Sequence, residues 1–520
     1  MPKTVQIQLE PEKAFDAVAQ AQALRSSGIK FRHFEVTKRS IDARGGKVRY
    51  QLAITCYAEG EEPITEVYEP VQKQVGNAPE VLIVGAGPAG YFAAMECIAL
   101  GLKPVVLERG KPVRERRRDL AQLTRSHIVN PESNYCFGEG GAGTYSDGKL
   151  YTRSDKRGDI RKVLDTFCFF GADADIRVNA RPHIGTNKLP GIMEQMRAFI
   201  LAAGGEILFD TRVTDLIISD NVLLGVKTEK NESLRGIGVI LATGHSADDI
   251  YRLLRSRNIY IEPKAFALGV RAEHPQGLID SIQYKRAERG EFLPPAYYSL
   301  VTQVQGKGVY SFCMCPGGII APCTTQEGMI VTNGWSPSKR NNPFANSGIV
   351  TEITPEDARG WEEYPGDPLA LLHYRARVES DACSVAGHTQ AAPAQTIPDF
   401  IKGKVSAVLP ECSYTPGIVS ADLRHVLPPA VALRLQKGFS DFGRKMYGYV
   451  TSEAVLVAPE SRTSSPVRIP RDPHTLMHVQ TAGLFPCAEG AGYAGGIVSA
   501  AIDGYRCARA VAVYAGILQD

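Results

Sequence analysis

Glycines at 85, 87 and 90 stand between an apolar run, Val81-Leu82-Ile83-Val84, and a stretch from Tyr91 to Leu100 that reads as a helix. That spacing could do phosphate chemistry. Gly85 permits a tight turn, Gly87 lets the main chain approach a pyrophosphate, and Gly90 lets helix and strand pack closely. Pro88 and Ala89 complete the turn. The helix behind them offers free N–H groups and the positive end of its dipole. Glu108 follows Gly90 by eighteen residues, at the end of the next apolar run, Pro104-Val105-Val106-Leu107. A carboxylate there accepts hydrogen bonds from ribose hydroxyls and disfavours a 2′-phosphate. A glycine-rich turn with a surface acid is the alternative. Strand, helix and acid together favour an adenine dinucleotide.

The choice between FAD and NAD rests on a distant segment. Glu489-Gly490-Ala491-Gly492-Tyr493-Ala494-Gly495-Gly496-Ile497 places an acid after a strand, then glycines, then a helix. This matches the second flavin motif of two-motif flavoproteins, in which the acid binds the ribityl or phosphate region. The helix N-terminus then faces the pyrimidine end of the ring and stabilises negative charge on reduced flavin. A buried strand–helix turn is the competing reading. FAD is the expected cofactor, and no metal is expected.

The elements that must position these motifs follow from periodicity. Val5, Ile7 and Leu9 alternate like a half-buried strand, Pro11 opens a helix through about Arg25, and 31–36 and 48–57 read as strands. This small β-α-β-β unit is followed by a linker over 59–79. From Glu80 the strands are continuously apolar, as in a buried parallel sheet, and 238–244 and 483–490 supply two more. A helix from about 495 to 514 closes the chain. The expected class is α/β: a Rossmann-like FAD-binding domain discontinuous in sequence, an inserted α+β substrate domain, and the small N-terminal domain. The boundaries are 1–76, 77–265, 266–469 and 470–520.

Composition excludes several function classes. A net charge of +3 over 520 residues gives no electrostatic footprint for nucleic acid or membrane. No run reaches the ~18–20 apolar residues of a membrane span, and the start lacks the apolar core of a signal peptide. Eleven cysteines without a disulfide-framework spacing favour reduced thiols and a cytoplasmic setting. Arg114-Glu115-Arg116-Arg117-Arg118 reads mostly as a solvated helix face, and Lys38-Arg39-Ser40 as a solvated strand end.

With both motifs in place, the chain resembles the glutathione-reductase-type FAD superfamily and, more narrowly, the bacterial and plastid FAD-dependent dehydrogenases known mostly as "FAD-dependent protein". The carriers are Val81 to Gly90, Glu108-Arg109-Gly110, Phe137 to Leu150, Leu241 to His245, Phe312-Cys313-Met314-Cys315-Pro316-Gly317-Gly318, and Thr463 to Arg468. The resemblance implies that Glu108 and Arg109 hold the adenosine ribose and neighbouring phosphate, and that Val213 offers its backbone to adenine. It implies that Thr243-Gly244 closes over the dinucleotide. It also implies that Gly138 to Lys149, including Gly141-Ala142-Gly143-Thr144, runs beside the pyrophosphate and along the flavin ring. Five glycines in that segment fit so close an approach.

A flavin does the redox chemistry, so the protein must deliver a substrate to it and manage one proton. Tyr145, Asp147, Lys149, His245 and His388 are the candidates for the proton, each with a structural role as its alternative. Cys313 and Cys315 could form a strained disulfide or a thiol relay, or pack beneath the Pro316-Gly317-Gly318 turn. Disulfide flavoenzymes of the superfamily carry Cys-x4-Cys after the first helix, which is lacking here. Arg340, Arg462 and Arg468 could clamp an anionic substrate, with surface ion pairs as the alternative. No second G-x-G-x-x-G follows a strand, which argues for direct reaction with a small polar organic substrate and leaves transient NAD(P)H docking open. Two rivals stand beside this dehydrogenase or reductase. One acts on a macromolecule-carried substrate docked by the N-terminal domain; the other is a non-catalytic FAD-binding protein.

Overall fold

The computed structural model describes residues 2–63, 67–151, 158–363 and 365–519. The N-terminal unit contains β1 (Lys3–Leu9), α1 (Ala17–Ser26), β2 (His33–Asp42) and β3 (Arg49–Tyr57), with antiparallel order β1-β3-β2. The expected helix from Pro11 is shorter than its pattern. Residues 11–13 form one 3-10 turn, and α1 restarts at Ala17 because the Asp16 carboxylate accepts from the Val18 N–H at 2.8 Å.

The first part of the dinucleotide domain contains β4 (Glu80–Val84), α2 (Pro88–Leu100), β5 (Lys103–Leu107), α3 (Val113–Ser126), α4 (Ile160–Phe169), α5 (Leu189–Ala202) and β6 (Glu206–Leu208). A meander of β7 (Val213–Ser219), β8 (Val222–Thr228) and β9 (Ser233–Arg235) leads to β10 (Val239–Leu241), α6 (Asp248–Ser256) and β11 (Glu262–Pro263). The inserted body runs through β12 (Phe266–Pro275), α7 (Gln276–Tyr284), β13 (Val301–Val304), β14 (Lys307–Cys315), β15 (Ile319–Pro322), β16 (Thr332–Trp335) and β17 (Phe344–Ile353). It continues with α8 (Ala370–Val385), β18 (Ala392–Thr396), α9 (Ile397–Lys402), β19 (Ile418–Ser420), α10 (Pro429–Lys445) and β20 (Val455–Glu460). β21 (Val467–Arg468) pairs with β11, then β22 (Leu484–Pro486) and α11 (Ile497–Tyr514) return to the first body.

The dinucleotide sheet has order β22-β10-β4-β5-β6, all parallel. Val81, Leu82 and Ile83 are wholly buried because both faces are covered, which is why the strand reads apolar without alternation. One face packs on α2, α5 and α11, and the other on the meander and α6. The inserted body is built on a seven-stranded sheet, β13-β14-β17-β12-β20-β18-β19. Its core is continuous with that of the N-terminal unit: Leu24, Leu52 and Ile54 share one cluster with Leu268 and Phe439.

Two sequence expectations about surface cations are corrected. Arg39 is not a solvated strand end. Its main chain bonds to Val178 and Ala180, both at 2.9 Å, and its guanidinium lies 4.4 Å over the Phe15 ring. Arg116 is fully buried rather than on a solvated helix face. Its Nε donates to Asn134 O at 2.7 Å and its Nη1 to Glu139 O at 2.9 Å, so it anchors the loop that enters the second glycine segment.

Candidate cofactor and active site

Two helix N-termini converge beside the parallel sheet. Gly87 is the N-cap of α2 and Gly496 that of α11; neither helix has a side-chain cap or an acid in its first turn. Their leading N–H groups and dipoles are therefore left for an anion or a polar ring edge. The second glycine segment passes between them: a Cβ on Gly143 would stand 3.3 Å from Pro88 Cγ and 3.6 Å from Ile497 Cγ1. One on Gly141 would stand 3.4 Å from Gly87 Cα. Ala142 is exposed at the apex, while Thr144 is buried and donates to Glu139 O at 2.9 Å.

The glycines of the three turns sort by what surrounds them. Gly85, Gly90 and Gly490 touch backbone: added Cβ atoms would lie 2.8 Å from Ala242 O, 1.9 Å from Gly85 O and 1.9 Å from Thr243 O. Gly87, Gly244, Gly495 and Gly496 meet nothing within 4 Å. The first set lets the turns pack, and the second leaves main chain facing open space.

Glu108 is buried and accepts three backbone N–H groups, from Ala86, Gly110 and Gly138, each at 2.9 Å. It thus ties the first glycine turn to the second. Arg109 reaches Glu132 at 2.8 Å and Asp249 at 3.0 Å, and lies 4.3 Å over the Phe137 ring. Val213 is buried at the start of β7, and Thr243-Gly244 follow β10. Glu489 faces His245, with Oε1 3.2 Å from Nδ1.

A second constellation forms where the glycine segment meets the inserted body. Lys149 Nζ lies 3.5 Å from Cys313 Sγ, 3.4 Å from Cys315 Sγ and 3.7 Å from Asp147 Oδ2. Arg340 grips the same buried Asp147 through Nε at 3.3 Å and Nη2 at 2.7 Å. Burial works against the Asp147 carboxylate, but the Lys149 and Arg340 charges outweigh it and hold its pKa well below the usual range. Burial also opposes the Lys149 ammonium, yet Asp147 and the two sulfurs raise its pKa above normal. Arg271, wholly buried in β12, bonds Glu460 at 2.7 Å and Cys313 O at 3.4 Å.

A family model described as FAD-dependent protein, C-terminal domain-like, matches residues 265–463, and a domain of unknown function matches 1–57. An uncharacterized protein of Clostridium beijerinckii is 37% identical over 494 residues, covering 91% of each chain. The chain belongs to this family of FAD-dependent proteins. Among solved structures, the glycine oxidase of Bacillus cereus is 11% identical with a TM-score of 0.34, over 84% of this chain and 98% of that one. A geranylgeranyl bacteriochlorophyll reductase-like protein of Thermoplasma acidophilum is 13% identical with a TM-score of 0.35, over 84% and 79%.

The residues of this FAD-dependent protein fit that cofactor. Uncapped α2 and α11 N-termini, open main chain at Gly87, Gly244, Gly495 and Gly496, and Glu108 at the end of β5 are what a flavin dinucleotide requires. Of the proton candidates, Asp147 and Lys149 come together with Cys313 and Cys315, whereas His245 pairs with Glu489. Tyr145 donates to Val113 O at 2.8 Å and buttresses α3. His388 is exposed beyond α8, where its N–H caps Cys383 O at 2.9 Å, outside the constellation.

The three arginines expected to clamp an anion stand in separate settings. Arg340 is held by Asp147, Arg462 is buried in a two-pronged pair with Glu379 at 3.1 and 2.9 Å, and Arg468 lies 4.8 Å over the Tyr493 ring. Buried Glu379 needs a cation, which is why Arg462 leaves the group. Cys487, Asp503 and Cys507 have metal-ligand spacing. Arg471 occupies that place instead, bonding Asp503 at 2.9 and 2.7 Å and Cys507 Sγ at 3.5 Å.

Sequence reasoning missed His183 and Arg271. His183 pairs as an isolated bridge with Lys149, and burial, then Arg340, pushes its pKa down to about 4. No local pattern announces a bridge between positions 149 and 183. Arg271 did carry a signal, a lone charge inside Phe266-Ala267-Leu268-Gly269-Val270-Arg271-Ala272.

Proposed function

We propose that this FAD-dependent protein is an oxidoreductase that exchanges a hydride with a small polar organic substrate beside Lys149 and Arg340. The observation that carries the reading is the junction of the glycine segment with β14. There two cations share one carboxylate, Asp147, four residues along the chain from Gly143, which abuts Pro88 of α2 and Ile497 of α11. Bound FAD supplies the two-electron chemistry. The α2 N-terminus binds the pyrophosphate, Glu108 fixes the adenosine end, and the α11 N-terminus faces the ring. Lys149 and Arg340 orient an anionic group of the substrate, and Lys149 Nζ holds the proton that the exchange requires. His183 is neutral at pH 7 and adds no further charge. The shared core of the N-terminal unit and the Tyr50 hydroxyl bond to Phe292 O, at 2.9 Å, support a scaffolding role for residues 1–57 over docking of a macromolecule.

Anaerobic titration of the purified protein tests this, with carboxylate-bearing metabolites and NAD(P)H followed at 450 nm. Bleaching by a metabolite, or by NAD(P)H in transient docking, is the expected result. Flavin that photoreduces normally but ignores every compound overturns the substrate class. Flavin that cannot be photoreduced overturns the oxidoreductase.

A further inference from the structure

The Cys-x-Cys pair is built for chemistry that binding a flavin does not need. One ammonium, Lys149 Nζ, contacts both sulfurs, at 3.5 and 3.4 Å, where a packing role would call for apolar neighbours. Asp147 Oδ2 stands 3.7 Å from the same half-buried ammonium, so both sulfurs lie nearer to it than its carboxylate does, where a thiolate is favoured over a thiol. The two cysteines also differ in access: Cys313 is half-buried and Cys315 is wholly buried.

The backbone brings them together. Two residues of regular strand span roughly 6.6 Å, near the upper limit for bridged cysteines. β14 breaks its register with β17 between Phe312 and Cys315, and Cys313 has the left-handed φ of 47°. Such a bulge bends the strand at that point. Cys315 Sγ folds back to 3.4 Å from Cys313 O.

We propose that Cys313 and Cys315 are a redox-active dithiol that exchanges with low-molecular-weight disulfides, Cys313 attacking and Cys315 resolving. The charges facing Cys313 are Lys149 from the glycine segment and Arg271 from β12, opposed by Asp147 and by Glu460 of β20, which is paired with Arg271. The Cys315 thiol hydrogen bond, with the Lys149 and Arg271 charges, holds the Cys313 pKa well below the usual thiol range against burial. The same hydrogen bond and burial drive Cys315 well above it. In the first step the Cys313 thiolate attacks one sulfur of RSSR. A Cys313–S–S–R bond forms, the RS–SR bond breaks, and RS⁻ leaves to become RSH. In the second step Cys315 gives up its proton and attacks Cys313 Sγ, releasing a second RSH. Two thiols are oxidised to one disulfide and RSSR is reduced to two RSH, so electrons and protons balance. The proposal stands without any flavin substrate.

The test uses the full-length holoprotein and glutathione disulfide. Peptide mass spectrometry should find a Cys313–Cys315 disulfide and two glutathiones released per chain. In Cys315→Ser the reaction should stop at glutathione on Cys313, and in Cys313→Ser neither product should form. At pH 6.5, iodoacetamide should alkylate Cys313 at least tenfold faster than half-buried Cys168. Lys149→Met should move the midpoint of that reactivity to higher pH, and Lys149→Arg should restore it. Absence of the disulfide across a full glutathione redox series, or Cys313 alkylation no faster than Cys168, overturns the proposal and leaves the flavin reading intact.

Discussion

Gly504 of α11 packs so closely on Ala89 of α2 that a Cβ at position 504 would stand 2.2 Å from the Ala89 carbonyl oxygen. The contact fixes the spacing of the two helices whose N-termini frame the cofactor cradle. Backbone blocks backbone, so no rotamer change relieves the overlap. Gly504→Ala should therefore push the helices apart, costing about 1–3 kcal/mol of stability and weakening FAD retention. Urea midpoints and the 450-to-280 nm absorbance ratio after dialysis check both effects. Wild-type values in both would show that the helices slide without cost.

Glu108 accepts three main-chain N–H groups from three separate stretches, at Ala86, Gly110 and Gly138. If its role is to tie them, the acid matters before any ribose is present. Glu108→Gln keeps the shape but turns an NH2 group toward at least one N–H. FAD-free Glu108→Gln should unfold about 1–3 kcal/mol more easily than FAD-free wild type. A defect confined to the FAD-loaded form would assign the carboxylate to ribose alone.

The parallel sheet and both glycine turns were legible because each is a local pattern. β4 is apolar end to end, α2 and α11 follow glycines directly, and the N-terminal unit alternates with the strand period. What the chain did not announce are contacts between distant segments whose cause is burial. Lys149 meets Cys313 only after the glycine segment and the bulge of β14 are brought together, and His183 reaches Lys149 through an isolated bridge. Arg116 sat inside a run of charges that looks solvated, yet the 134–139 loop needs its donors. Arg462 was grouped with Arg340 by residue type, whereas buried Glu379 decides where it goes.

Asp147 is shared by Lys149 and Arg340, so removing it strands two cations. Asp147→Asn should cost about 3 kcal/mol or more in urea unfolding, the usual result of breaking a buried pair from one side. Combining it with Arg340→Met removes one stranded charge. The double variant should then be more stable than the sum of the single losses by at least about 1 kcal/mol. Strict additivity would mean that the pair carries no coupling.

Glu273 and His274 sit side by side on β12 and should tilt stability in opposite directions with pH. Burial pushes the Glu273 pKa from 4.5 up to about 7, although the Ser413 hydroxyl and N–H, the latter at 2.7 Å, hydrogen-bond the carboxylate. Burial pushes His274 from 6.5 down to about 4, with its ring bonded to Tyr449 O at 2.9 Å. A raised carboxyl pKa gives a contribution that is complete below about 4.5 and is lost as pH rises through about 7. A depressed histidine gives one that is complete above about 6.5 and is lost as pH falls through about 4. The two slopes oppose each other in wild type, and Glu273→Gln uncovers the histidine slope. Relative to wild type, the variant should gain stability steadily from pH 4.5 to 7, by up to about 3 kcal/mol for a shift of this size. Urea midpoints at pH 5, 6, 7 and 8 measure the difference. If it stays flat, Glu273 ionises near its ordinary value and the Ser413 hydrogen bonds have compensated its burial.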